Sequence, residues 1–165
     1  MKPDILIIDA NVLIDFCKTD RSVLALVTRH LATVHVAEQV LEEVEELDRA
    51  TAVALGISVL TVEYVVLSQA ATASVGSPLG FQDWLCLLVA QQNSWICVTN
   101  DKRLRAECAT RGVAVLWGLQ LLLQLVERRA LGAAAAIRVA DAICALNKRM
   151  PASVLAAFRR KVRGK

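Results

Sequence analysis

The chain has 165 residues, 56% of them hydrophobic and 21% charged. That length suits one domain with a single core, and it excludes a membrane span, because the longest apolar stretch, Gly112 to Val126, is broken by Gln120 and Gln124 and is shorter than the ~20 apolar residues a spanning helix needs. The net charge of +3 hides an asymmetry: residues 1–127 hold 9 Lys and Arg against 15 Asp and Glu, whereas residues 128–165 hold 10 against Asp141 alone, which points either to a polyanion partner or to a solvated helical surface.

Met1 to Asp4 leads into an apolar segment with no signal-peptide layout. Ile5 to Ile8 reads as a buried strand that ends in Asp9. Asn11 is expected to cap a helix from Val12 to about Cys17, and Asp20 a helix from Arg21 to His30. Thr33 to Val36 is a second strand. Glu38 to about Leu55 reads as one helix closed by Gly56, with Glu45 paired to Arg49, and Ile57 to Leu60 as a third strand. A helix over Val62 to about Ala73, a loop over Ser74 to Gly80 and a helix over Phe81 to Gln92 follow. Trp95 to Thr99 is the fourth strand, Lys102 to Arg111 a helix stopped by Gly112, Val113 to Leu116 the fifth strand, and Leu119 to Arg128 a helix. Ala133 to Asn147 and Pro151 to Val162 read as two more helices, with Pro151 at a first helical position. This alternation predicts an α/β fold: a central parallel sheet of about five strands, helices on both faces, and a two-helix C-terminal extension. The expected division is residues 1–128 as a catalytic domain and 129–165 as a basic helical extension packed on that domain or on a partner subunit.

The five cysteines are odd in number and form no C-x-x-C pair, so free thiols in a reducing cytosol are expected. A zinc site is not, because His30 and His35 have no Cys partner at ligand spacing.

Four acids stand out. In an open parallel sheet, ligands gather at the carboxyl ends of the strands. Asp9 follows the first strand directly and Asp101 follows the fourth by one residue, so both are expected at the same edge; an Asp between strand and helix also serves as an N-cap. Asp83 has Cys86, Leu87 and Ala90 at its helical neighbours, and a charged carboxylate on an apolar stripe is costly unless paired or bound to a metal; a first-turn Asp also gains from the helix dipole. Among Glu42, Glu43, Glu45 and Glu46, helical geometry places Glu43 nearest the apolar face of Val40, Val44 and Leu47. Converging carboxylates raise one another's pKa, and divalent cations remove that penalty; an all-oxygen donor set suits Mg²⁺ or Mn²⁺ and fits phosphodiester hydrolysis.

These residues carry a resemblance. ILIIDANVLID resembles the opening of a PIN domain, VAEQVLEEVEEL its second motif with the Glu at Glu43, GFQDWLCLLVA its third with Asp83, and ICVTNDKRLR its fourth with Asp101 and a hydroxyl at Thr99. The resemblance implies a three-layer α/β/α fold and Mg²⁺- or Mn²⁺-dependent cleavage of RNA, with Asp9, Glu43, Asp83 and Asp101 as metal-binding and catalytic residues, and with Asn11 and Thr99 behind them. Many bacterial and archaeal members are toxins of toxin–antitoxin pairs, similar to VapC, and many form dimers, so a cognate antitoxin and a homodimer are expected partners, in the cytoplasm. Two features depart from the pattern: Ala10 stands where members often carry Thr or Ser, and about 35 residues extend past the point where VapC-like toxins usually end. A subset of PIN proteins has a similar tail, which LNKRMPASVLAAFRRKV resembles. Arg159, Arg160, Lys161 and Arg163 of that tail are expected to contact RNA phosphates.

Three other readings compete. A haloacid dehalogenase phosphatase needs a second Asp two residues after the first, where Asn11 stands. A receiver domain needs an acidic pair at one site, and Asp4 lies at the wrong end of the first strand. The third is a catalytically silent PIN-like module that binds RNA or protein.

Overall fold

The computed structural model describes residues 4–164. Met1 to Pro3 at the N-terminus and Lys165 of the basic tail lie outside them. Ile5 to Ile8 forms the middle of the sheet, as a continuous aliphatic run should when both faces are covered. The strands are β1 (Asp4–Ile8), β2 (Ala32–Ala37), β3 (Ser58–Leu60), β4 (Ile96–Val98) and β5 (Val115–Leu116), all parallel, in the order β3-β2-β1-β4-β5. Ile7 lies opposite His35 on one side and Cys97 on the other. The chain winds outward from β1 to β3, then crosses back to β4 on the other side of β1. Right-handed crossovers that travel in opposite directions place their helices on opposite faces. The carboxyl ends of β1 and β4 therefore flank the switch point where an open α/β sheet binds ligands.

Ten helices complete the described residues, and most match the expected elements within a residue or two. α1 (Ala10–Thr19) differs at its start: Asp9, not Asn11, is the N-cap, its Oδ1 accepting from the Ala10 amide at 2.8 Å. α2 (Ser22–His30) starts one residue later than expected: Arg21, not Asp20, is its N-cap and makes no side-chain cap, while Asp20 Oδ1 accepts from the Ser22 amide at 3.0 Å in the turn before it. The expected helix from Glu38 to Leu55 is broken. α3 (Glu38–Leu41) stops after one turn, Glu42 to Leu47 runs through tight turns, and α4 (Arg49–Ala54) starts afresh with Asp48 as its cap. Glu42 would face both Glu45 and Glu46 across one turn of a continuous helix, a repulsive arrangement. Arg49 pairs with Glu38 at 3.0 Å rather than with Glu45. Val40, Val44 and Leu47 are nonetheless buried. Gly56 ends this segment at φ +87°, and a Cβ there would lie 2.7 Å from Thr28 Oγ1, so both conformation and space demand glycine.

α5 (Tyr64–Ser74) packs against α6 (Phe81–Asn93), which packs on β1 and β4; α7 (Lys102–Thr110) leads to β5. After α8 (Gly118–Glu127), the extension forms α9 (Ala133–Leu146) and α10 (Ala152–Arg163). α9 packs on α1 and α8, and α10 on α9 and α8. Ala136, Ala140, Ile143, Phe158 and Val162 are buried within the same core as the sheet. α9 and α10 thus pack on preceding elements of the same chain. Pro151 is the N-cap of α10, with extended ψ of 141°, rather than its first helical residue.

Cys86, Cys97 and Cys108 are buried, Cys17 and Cys144 half-buried, and all five thiols are free. Burial pushes the Cys86 thiol well up. No helix of the described residues is long and apolar enough to cross a membrane.

Candidate active site

Asp9 is 2% exposed, at the end of the central strand. Its position is set by the backbone: its amide continues the β1–β4 ladder by donating to the Val98 carbonyl at 2.9 Å. Its carboxylate is held at both oxygens. Oδ1 takes the Ala10 amide, and Oδ2 accepts from Thr99 Oγ1 at 2.8 Å. Burial pushes its pKa up to about 7 against the relief of the Thr99 hydrogen bond, and the nearby Asp83 and Asp101 charges push the same way.

Asp101 caps α7, with Oδ1 accepting from the Leu104 amide at 2.7 Å. Its own amide donates to Thr99 Oγ1 at 3.0 Å, so one buried hydroxyl joins Asp9 to the turn that carries Asp101. Asp83 sits in the first turn of α6, where Oδ2 accepts from the Gly80 amide at 2.9 Å. Burial raises its pKa, opposed by that hydrogen bond, and the Asp101 charge raises it further. The capping and the charge-bearing readings therefore hold together: all three carboxylates fix a helix start, and those of Asp9 and Asp83 still sense their acidic neighbours. Glu43 lies on a turn instead of a helix. Its side chain is exposed rather than turned to the apolar face as expected, yet partial desolvation of its carboxyl and the Asp83 charge hold its pKa above the ordinary value. Glu46 turns away to Lys18 at 3.5 Å. Asn11 is exposed in the first turn of α1.

The fold brings these acids into electrostatic reach without packing them together. Among the described residues, no group of three or more His, Cys, Asp or Glu side chains is arranged to hold an ion as it stands, and none of the four acids forms a salt bridge. An ion that keeps most of its water and takes one or two carboxylates directly suits such an open set, which is how Mg²⁺ is usually bound. The donor set is all oxygen; burial is the main cause of the raised pKa values of Asp9, Asp83 and Glu43, and acidic neighbours add to it. The residues fit a hydrated divalent cation.

Beside this edge opens a groove of about 880 Å³, which Asn11 and Asp101 line on one side and the α9–α10 loop on the other. Sequence reasoning missed most of what builds it. Asp15 accepts from Asn100 Nδ2 at 3.1 Å and from Asn147 Nδ2 at 3.3 Å. Asn100 in turn accepts the Gly118 amide at 2.9 Å, and its carbonyl accepts from Arg105 at 2.6 Å. The one available signal was Asp15 itself, an acid between the apolar neighbours Ile14 and Phe16. Arg159 binds Asp141 at 2.6 and 3.1 Å, and neither it nor Arg160, Lys161 or Arg163 lines the groove.

Fold and site together define an α/β domain with an acidic edge at its switch point. A PIN-domain family model matches residues 5–163, and the chain belongs to that family. The match runs through the C-terminal extension. PIN domains are nuclease-related and generally use divalent metal ions. No curated protein matches the chain. Solved structures that resemble it include the following two. PAE2754 from Pyrobaculum aerophilum is 19% identical with a TM-score of 0.53, covering 77% of this chain and 99% of that one. The PilT N-terminus domain protein SSO1118 from Sulfolobus solfataricus P2 is 12% identical with a TM-score of 0.52, covering 73% and 92%. At these identities the likeness is one of fold.

Proposed function

We propose that the edge formed by Asp9, Asp83, Asp101 and Glu43 hydrolyses RNA phosphodiester bonds with Mg²⁺ or Mn²⁺. The observation that carries this reading is the position of Asp9: a buried carboxylate at the topological switch point, raised to about 7 by burial and by its acidic neighbours, with no salt bridge among the described residues. Asp9, Asp83 and Asp101 would hold the ion, with Glu43 at the margin. An ion held there would supply charge for the phosphate oxygens and would lower the pKa of an attacking water. The chain supplies orientation. Thr99 clamps Asp9, the helix caps lock Asp83 and Asp101, and Asn11 stands at the mouth for a polar contact with the substrate. The reading needs no second subunit and no antitoxin, because all four acids come from one chain.

A silent binding module is the second reading. It gains nothing from acids that raise one another's pKa, a cost that a binding surface has no reason to keep. End-labelled RNA of mixed sequence separates the two. The enzyme reading predicts cleavage with Mn²⁺ or Mg²⁺ and none in EDTA. Intact RNA under every metal condition would leave the binding module; cleavage that survives chelation would sink the metal mechanism.

A further inference from the structure

Two concave surfaces among the described residues differ in character. One, of about 480 Å³, is lined by Glu38, Glu42, Glu45 and Asp48, with Arg49 paired to Glu38, and its net negative lining would repel a phosphate backbone. The other is the groove beside Asp101, lined by six basic side chains against the carboxylates of Asp15 and Asp101. Lys102 and Arg103 stand on the α7 side, Lys148 and Arg149 on the α9–α10 loop. All four are exposed and none forms a salt bridge among the described residues. Arg105 and Trp117 line the same groove, with the Arg105 guanidinium 3.7 Å from the centre of the Trp117 ring, a flat cationic and aromatic surface.

This arrangement is held in register. Asn147 ties the start of the α9–α10 loop to Asp15 of α1, and Asn100 ties Asp15 to the turn that carries Asp101. Gly118 gives the approach its closeness, since a Cβ there would lie 3.3 Å from Asn100 Nδ2 and 3.4 Å from Val12. The loop charges are therefore fixed at a set distance from the acidic edge instead of hanging free on the tail.

We propose that this groove holds a single strand of RNA and leads it to Asp101, with Lys102 and Arg103 on one wall and Lys148 and Arg149 on the other contacting backbone phosphates, and Trp117 with Arg105 meeting an unpaired base. That the strand is RNA rests on the function proposed above; the groove and its charges do not. A stacking platform between two rows of cations is how sequence-tolerant single-strand binding is built. A duplex keeps its base faces inside the stack and would leave Trp117 without a partner.

The test uses the full chain in EDTA, so that binding is read apart from cleavage. Fluorescence anisotropy of a labelled 12-nucleotide single-stranded RNA is followed across a salt series. The variant Lys102→Gln/Arg103→Gln/Lys148→Gln/Arg149→Gln changes only exposed side chains. It is expected to bind at least ~10-fold more weakly at low salt, and the slope of log K against log salt should shrink by about 2 or more, since each lost phosphate contact on a single strand removes about 0.7. The competing site is α10, so Arg160→Gln/Lys161→Gln/Arg163→Gln is compared directly and should change the slope less. A parent chain that binds no more tightly than the groove variant, or an α10 variant that loses more than the groove variant, overturns the proposal. So does equal or tighter binding of the same sequence as a duplex. A parent that binds as expected and never cleaves leaves the groove standing and removes the nuclease reading alone.

Discussion

The Thr99 hydroxyl donates to Asp9 Oδ2 at 2.8 Å and is fully buried. The same oxygen accepts the Asp101 amide at 3.0 Å, so one side chain sets both the charge of the central acid and the path of the chain to the next one. Thr99→Val removes both bonds and leaves a partly buried amide without its acceptor. A loss of about 1–3 kcal/mol is expected in urea melts, together with weaker Mn²⁺ binding. A Thr99→Val chain with parental stability and metal affinity would show the hydroxyl to be incidental.

The raised pKa of Asp9 makes the metal-free fold sensitive to pH. A carboxyl whose folded pKa lies above its ordinary 3.8 favours the unfolded state once it must ionise. The penalty is absent below pH ~4, grows as pH rises toward 7, and is complete above it, on the order of 4 kcal/mol for a buried group shifted this far. Asp83 and Glu43 are raised too and act in the same direction. In EDTA, Asp9→Asn should therefore melt higher than the parent at pH 8 and gain much less at pH 4.5. An equal effect at both pH values would mean that Asp9 carries no ionisation penalty.

Asp83 separates capping from charge. Asp83→Asn keeps an oxygen for the Gly80 amide and removes the negative charge, so it should melt no lower than the parent in EDTA. Asp83→Ala also loses the cap and should cost about 1 kcal/mol relative to Asp83→Asn. Cleavage should fall for both. If Asp83→Asn cleaves at the parental rate, the residue is a cap alone.

The glutamate run offers a second separation. Glu43→Gln should slow cleavage, since its carboxyl is the one that senses Asp83. Glu42→Gln and Glu46→Gln should change it little, because Glu42 lines the separate concave surface with Glu38 and Glu45 and Glu46 pairs with Lys18. Rates measured at saturating Mn²⁺ decide; a larger loss in Glu42→Gln than in Glu43→Gln reverses the assignment.

The sheet and the acids at its edge were legible in the sequence for one reason: a continuous aliphatic run that stops at an acid marks both a buried strand and its carboxyl end. Ile5 to Ile8 before Asp9 shows it most clearly. The burial of Val40, Val44 and Leu47 was legible as well, although the helix meant to carry them was not, because apolar spacing does not register like-charge repulsion among Glu42, Glu45 and Glu46. The groove was illegible. Asp15 meets Asn100 and Asn147 from 85 and 132 positions away, and such contacts leave no local pattern. Charge counting found that the tail is basic but not which cations are free. Asp141, the tail's only acid, took Arg159, and the loop cations Lys148 and Arg149 lie at the groove instead.

The most direct test of a carboxylate-borne, metal-dependent hydrolysis is the rate of RNA cleavage by Asp101→Asn at saturating Mn²⁺. Asparagine keeps the helix cap to the Leu104 amide and removes only the negative charge, so folding and function are read separately. The predicted result is a rate at least about 100-fold below the parent, the scale of losing a main electrostatic stabiliser, with an unchanged melting temperature. A folded Asp101→Asn chain that cleaves RNA as fast as the parent would contradict the assignment of this edge as the catalytic site.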